Sequence, residues 1–160
     1  MSAKQWTRWF QETAAKLMTE GRQHVGCCGR GEGWDAEYLV DASVSDDHPD
    51  AETDDPFAYS RLLLAVETEW STNQRHREYD FSKLADIRAV RKLFACDVTR
   101  KVWMEIDERV IDRFARFWQQ HVMVATGEEV GLMISSGRDR VGAWVLRKGA
   151  LAGRVDLPKD

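Results

Sequence analysis

Cysteine is scarce and poorly spaced for cross-linking: of three in 160 residues, Cys27 and Cys28 are adjacent and Cys96 is far away. That spacing builds no disulfide framework, so reduced thiols and a cytoplasmic protein are expected. No apolar run approaches the roughly 20 residues a membrane helix requires, and the opening MSAKQWTRWF lacks the apolar stretch of a signal peptide. Proline occurs three times and forms no linker. With no internal repeat either, a single domain over residues 1–160 is expected. The strongly spaced chemical motifs are missing as well. His24, His48, His76 and His121 make no H-x-H or H-x-x-x-H pair, which leaves zinc without a ligand set. GCCGRGEG lacks the G-K-[ST] ending of a phosphate loop, and no G-x-S-x-G supplies a nucleophile elbow.

What the chain has is charge, unevenly spread. Residues 1–80 hold 8 Lys/Arg against 16 Asp/Glu and the remainder 15 against 11, so halves of -8 and +4 make up the net -4. A polyanion would prefer surfaces built by the second half and avoid the acidic SDDHPDAETDDP, which reads as a loop.

Hydrophobic spacing sets the order of elements. Residues 4–20 place Trp6, Trp9, Phe10, Thr13 and Leu17 at helical intervals ahead of Gly21. Short strands are predicted near 25–28 and over 36–44 (AEYLVDASV), and a longer one over 62–70 (LLLAVETEW). STNQRHREY reads as a polar connection, with Asp80 as N-cap of a helix over FSKLADIRAVRK. A strand at 93–99 comes next, then a helix at 106–121 with Ile106, Val110, Phe114, Phe117, Trp118 and His121 in one stripe, and two strands, VGLMISS and GAWVLRK. Strand, helix, strand over 61–99 predicts a parallel crossover, hence an α/β fold with a mixed central sheet flanked by helices on both faces.

Two acids in a buried strand need an explanation. In an extended chain Glu67 and Glu69 share one face with Leu63 and Ala65, so their charges point the same way and resist desolvation. If the strand bearing Asp41 is a neighbour, its carboxylate meets theirs at one edge. Two or three carboxylates with a backbone carbonyl make a hard oxygen site suited to Mg²⁺ or Mn²⁺, an ion that polarises a phosphodiester and activates water. Each residue also has a plain structural reading. The glutamates can pair with Arg or Lys of the basic half, Asp41 can cap a turn, and Lys83 can lay its stem on an apolar face.

Helix, three strands, helix, strand, with Asp41 in one strand and Glu67 and Glu69 in the next, resembles the PD-(D/E)xK nuclease superfamily, the restriction-endonuclease-like fold. The strings LLLAVETEW and YDFSKLADIRAV are similar to bacterial proteins with an E-x-E-W strand and a D-F-x-K-L helix. The resemblance covers about residues 4–100 and leaves 101–160 as a C-terminal helix and two strands. It implies a Mg²⁺-dependent phosphodiester hydrolase acting on nucleic acid, with Asp41 and Glu67 as metal ligands and Glu69 as a third ligand or water-positioning group. Glu69 stands where the family usually has its lysine, and a glutamate lacks the charge that stabilises the phosphate in flight. Some members carry that lysine on the following helix, which points to Lys83, at a face shared with Ile87 and Val90. Glu12 or Glu20 would match a first-helix glutamate. Trp70 is expected at the site rim, and Arg88, Arg91 and Lys92 offer either phosphate contacts or a solvated helix face. Two other readings remain: a non-cleaving member that binds a protein or nucleic acid, and an immunity-type protein with an acidic face for a basic partner. The oligomeric state is open, a homodimer included.

Overall fold

The computed structural model describes residues 23–27, 40–47, 59–71, 73–98, 108–135, 141–150 and 152–156, and five helical positions near the N-terminus, Gln5, Arg8, Trp9, Glu12 and Thr13. Within them the fold is α/β: one mixed sheet and two helices. The strands are β1 (Gln23–Cys27), β2 (Ala42–Asp47), β3 (Tyr59–Glu69), β4 (Ala89–Asp97), β5 (Glu129–Ser135), β6 (Val141–Arg147) and β7 (Gly153–Val155). They lie in the sheet in chain order. β1, β2 and β3 pair antiparallel, β3, β4 and β5 parallel, and β5, β6 and β7 antiparallel. The predicted parallel passage is therefore present, with helix α1 (Gln74–Asp86) between β3 and β4. Helix α2 (Glu108–Gln120) precedes β5. Among the described residues no helix is long and apolar enough to cross a membrane.

α1 begins earlier than predicted. Asn73, extended at φ -78° and ψ 116°, is the N-cap and accepts the Arg75 N–H through its side chain at 2.9 Å. Asp80 is consequently a mid-helix residue. The helix also ends early, at Asp86, with Ile87 extended. From Ala89 the backbone joins the ladder, opposite Leu62. The apparent helical pattern of IRAVRK yields to sheet pairing, which suits the β-branched Ile87 and Val90. Val90 therefore lies in β4 and shares no helix face with Lys83.

β2 is displaced in the other direction. Residues 36–39 lie outside the described residues, Val40 and Asp41 precede the strand, and Ser45–Asp47, assigned to the acidic loop, are part of it. β7 comes after the predicted last strand and escapes detection by its length of three residues and their exposure.

The expectation of helices on both faces is not met by α1 and α2, which pack together on one. Side chains of α1 (Phe81, Leu84), α2 (Phe114, Trp118), β4 (Phe94, Cys96) and β5 (Val130, Leu132, Ile134) form a single core there. On the opposite face Ala42, Val66 and Ala95 are buried, with Trp70 and Met133 packed against them. Trp70 thus falls behind the sheet from Glu67 and Glu69, as strand alternation requires. Lys92 belongs to the core rather than to a solvated face. Its ammonium pairs with Glu128 and lies 5.3 Å from the ring of Trp118. Arg88 and Arg91 are exposed.

Candidate functional site

The site forms where β3 ends. β2 runs antiparallel to β3 with Ala42 opposite Val66, so the residue that enters β2, Asp41, sits beside the residues that leave β3. The two acids meet because the strands run in opposite directions, and not because they hold similar mid-strand positions. The contact is reciprocal. Asp41 N–H donates to Glu67 Oε2 at 3.1 Å, while Asp41 Oδ2 accepts from the Thr68 N–H at 2.8 Å and the Thr68 hydroxyl at 2.6 Å.

Glu67 is 2% exposed. Along β3 it faces the helix side, level with Phe94, and Glu69 is next on that face, level with Cys96. α1 crosses this face and delivers Lys83, whose Nζ lies 2.5 Å from Glu67 Oε1 and 2.7 Å from Asp80 Oδ1. Residues three apart on a helix are surface neighbours, so Asp80 and Lys83 form one outward pair while Phe81 and Leu84 enter the core. That is the physical content of the D-F-x-K-L string: two residues anchor the helix and two address the strand. Glu69 turns along the rim. Its Oε1 accepts the Ser71 N–H at 2.6 Å, and its carboxyl shares a hydrogen bond with Asp80.

Burial dominates the electrostatics. It pushes the Glu67 carboxyl up to about 8; Asp41 and Asp80 add to the rise and Lys83 opposes it. Glu69 is also raised, by burial and then by Asp80, against the Ser71 amide. For Lys83 burial acts in the lowering direction, but its hydrogen bonds and charge pairing with Asp80 and Glu67 outweigh it and hold the ammonium protonated. Glu67 and Asp80 thus share the one ammonium of Lys83, and Glu69 lies against Asp80. The surplus of negative charge favours either a proton or a cation.

The burial of Glu67 gives a stability test. Its folded pKa of about 8 exceeds an ordinary 4.5, so the folded chain holds a proton that the unfolded chain releases between those values. The resulting stabilisation is complete below about pH 4.5 and lost as pH rises through 8. In metal-free buffer, Glu67→Gln should remove this dependence. Between pH 5 and pH 9 its stability should gain on wild type by on the order of 4 kcal/mol. Urea unfolding at both pH values measures the gap, and a gap independent of pH would mean that Glu67 remains ionised throughout.

Arg77 holds the frame. Only 5% exposed, it donates from Nη1 to the carbonyls of Ser71 at 2.9 Å and Asp97 at 3.2 Å, tying together the ends of β3 and β4, while its Nε is buried without an acceptor among the described residues. Cys96 beneath it is buried and free, its thiol pushed up to about 12 by burial against the opposing charge of Arg77, which makes it inert.

Of the residues singled out in the sequence, Asp41, Glu67 and Lys83 come together, and Glu69 adjoins them through Asp80. Glu12 does not join them: it is exposed and paired with Arg8 at 2.8 Å. Glu20 lies outside the described residues. Sequence reasoning misses Asp80 and Arg77 as site residues. The signal for Asp80 is its i,i+3 spacing to Lys83, obscured by its reading as a cap. Among the described residues no three His, Cys, Asp or Glu side chains converge as a ready-made metal cage. Comparison with protein-family models, curated proteins and solved structures returns no match.

Proposed function

We propose that this protein is a metal-dependent phosphodiester hydrolase acting on nucleic acid, with a restriction-endonuclease-like core of the PD-(D/E)xK type. The observation that carries the reading is the meeting at one strand end of Asp41, Glu67 and, from the next helix, Lys83. The sequence of three antiparallel strands, helix and parallel strand agrees with that core.

The donors fit a hard cation: all are carboxylate oxygens, and the charge surplus around Glu67 is the kind that a divalent ion neutralises. Asp41 and Glu67 would hold Mg²⁺ or Mn²⁺, with Glu69 as third ligand or water-positioning group. When bound, the ion supplies Lewis acidity toward the phosphate and lowers the pKa of a water. The chain supplies the rest. Asp41, anchored by both donors of Thr68, fixes the end of β3. Lys83, restrained by Asp80, lays positive charge where charge develops on the phosphate and replaces the lysine that Glu69 displaces.

Calorimetric titration with Mn²⁺ tests this reading. Wild type should bind, and Asp41→Asn or Glu67→Gln should weaken binding by at least about tenfold, since even outer-sphere losses cost that much. No binding by wild type would overturn the proposal. Binding without cleavage of any nucleic acid would support the second reading, a protein that keeps the fold and binds without cutting. One observation favours that alternative: Glu67, Lys83 and Asp80 already close an ion network among themselves.

A further inference from the structure

We propose that Tyr79 is a stacking platform for an unpaired nucleobase, so that the nucleic acid engaged at this site is single-stranded; the inference deepens the hydrolase reading and rests on it. Tyr79 is 68% exposed on α1. The other aromatic residues of this helix layer behave differently: Phe81, Phe94, Phe114 and Trp118 are buried and pack ring on ring. Folding makes little use of the tyrosine ring.

Its position is informative. The Lys83 ammonium is a common neighbour, 5.5 Å from the Tyr79 ring centroid on one side and 2.5 Å from Glu67 Oε1 on the other. An aromatic surface open to solvent therefore stands one ammonium away from the buried acid. A base resting on that ring would bring its own phosphodiester within reach of the strand end.

The surroundings suit a nucleotide. Arg75 lies one turn before Tyr79 and is exposed, as is His76, and the first turn of α1 holds no acidic residue. Of the two acids flanking Tyr79, Glu78 is engaged by Arg113 at 2.5 Å and Asp80 by Lys83 at 2.7 Å. The chain as a whole is acidic, at -4, so affinity for a polyanion cannot come from charge alone. Stacking is indifferent to net charge and tolerant of sequence, because every base has a π-face. It also demands an unpaired base: in a duplex those faces are covered by neighbouring pairs and only edges remain accessible.

The experiment is fluorescence anisotropy of labelled oligo-dT and oligo-U in EDTA at low salt, where neither a metal ion nor cleavage contributes. Wild type should bind both single strands more tightly than a duplex. Tyr79→Ala should weaken single-strand binding by about tenfold, within the range found for loss of one stacked base, and Tyr79→Phe should stay within about twofold of wild type. An abasic strand should bind wild type and Tyr79→Ala alike. No single-strand binding by wild type, equal affinity for duplex, or no effect of Tyr79→Ala would each overturn the stacking proposal. Absence of Mn²⁺ binding or of cleavage would instead overturn the hydrolase reading, and the anisotropy result would still decide whether Tyr79 stacks bases.

Discussion

On the proposed hydrolase reading, Lys83→Met is expected to slow phosphodiester cleavage by about 10²- to 10³-fold, the usual loss when one charge-stabilising donor is removed from a reacting centre. Mn²⁺ binding should survive the substitution, since the ammonium on Glu67 Oε1 competes with a cation for that oxygen and is not itself a ligand. The split between binding and rate is what identifies the role. A lysine that merely kept Glu67 ionised would act through the carboxylate, and its loss would favour the protonated carboxyl and lower metal affinity together with the rate. Methionine keeps most of the apolar stem, so the half-buried path of Lys83 along α1 is still filled. Single-turnover cleavage of a labelled single strand, alongside calorimetry, measures both quantities. Unchanged cleavage in Lys83→Met would exclude Lys83 as the displaced lysine and leave Glu69 unexplained.

Much of this site is legible in the sequence because strand periodicity is simple. Alternation alone puts Glu67 and Glu69 on one face of β3, and they lie there, level with Phe94 and Cys96. Lys83 is legible through the D-F-x-K-L resemblance, while the helix face expected for it is not the one observed: Ile87 ends α1 and Val90 lies in β4. The lysine reaches Glu67 because Phe81 and Leu84 seat the helix, leaving positions 80 and 83 over the strand end. Asp41 does meet Glu67, but strand direction cannot be read from composition, and the antiparallel pairing is what closes the distance. The start of α1 is hidden for a related reason. Ser71, Thr72 and Asn73 are turn formers by propensity, and whether such a cluster is a loop or a cap depends on how the next residues pack. Arg77 gives no local signal at all. Its partners are two carbonyls that only the parallel pairing of β3 and β4 brings together.

Phe81→Ala should destabilise the fold by about 3–5 kcal/mol, the range for deleting a fully buried aromatic. Phe81 is 1% exposed, with Phe114 at 4.7 Å, Phe94 at 5.3 Å, Phe117 at 5.6 Å and Trp118 at 5.8 Å between ring centroids. From α1 it contacts both β4 and α2, so the cavity left by alanine lies at the junction of three elements and cannot close by the movement of one. Against a total stability of about 5–15 kcal/mol, the loss is large. Thermal unfolding should shift down by roughly 10 °C or more, and the urea midpoint should fall without a change in slope. Because Phe81 lies between Asp80 and Lys83, its removal should also depress the proposed cleavage activity at ordinary temperature. That depression should differ in kind from the effect of Lys83→Met. Cooling to a temperature at which Phe81→Ala is folded should restore its cleavage rate relative to wild type, whereas Lys83→Met should stay slow at every temperature. A Phe81→Ala protein that remains inactive when folded would mean that the packing of α1 sets the geometry of Lys83 beyond simply keeping the helix in place.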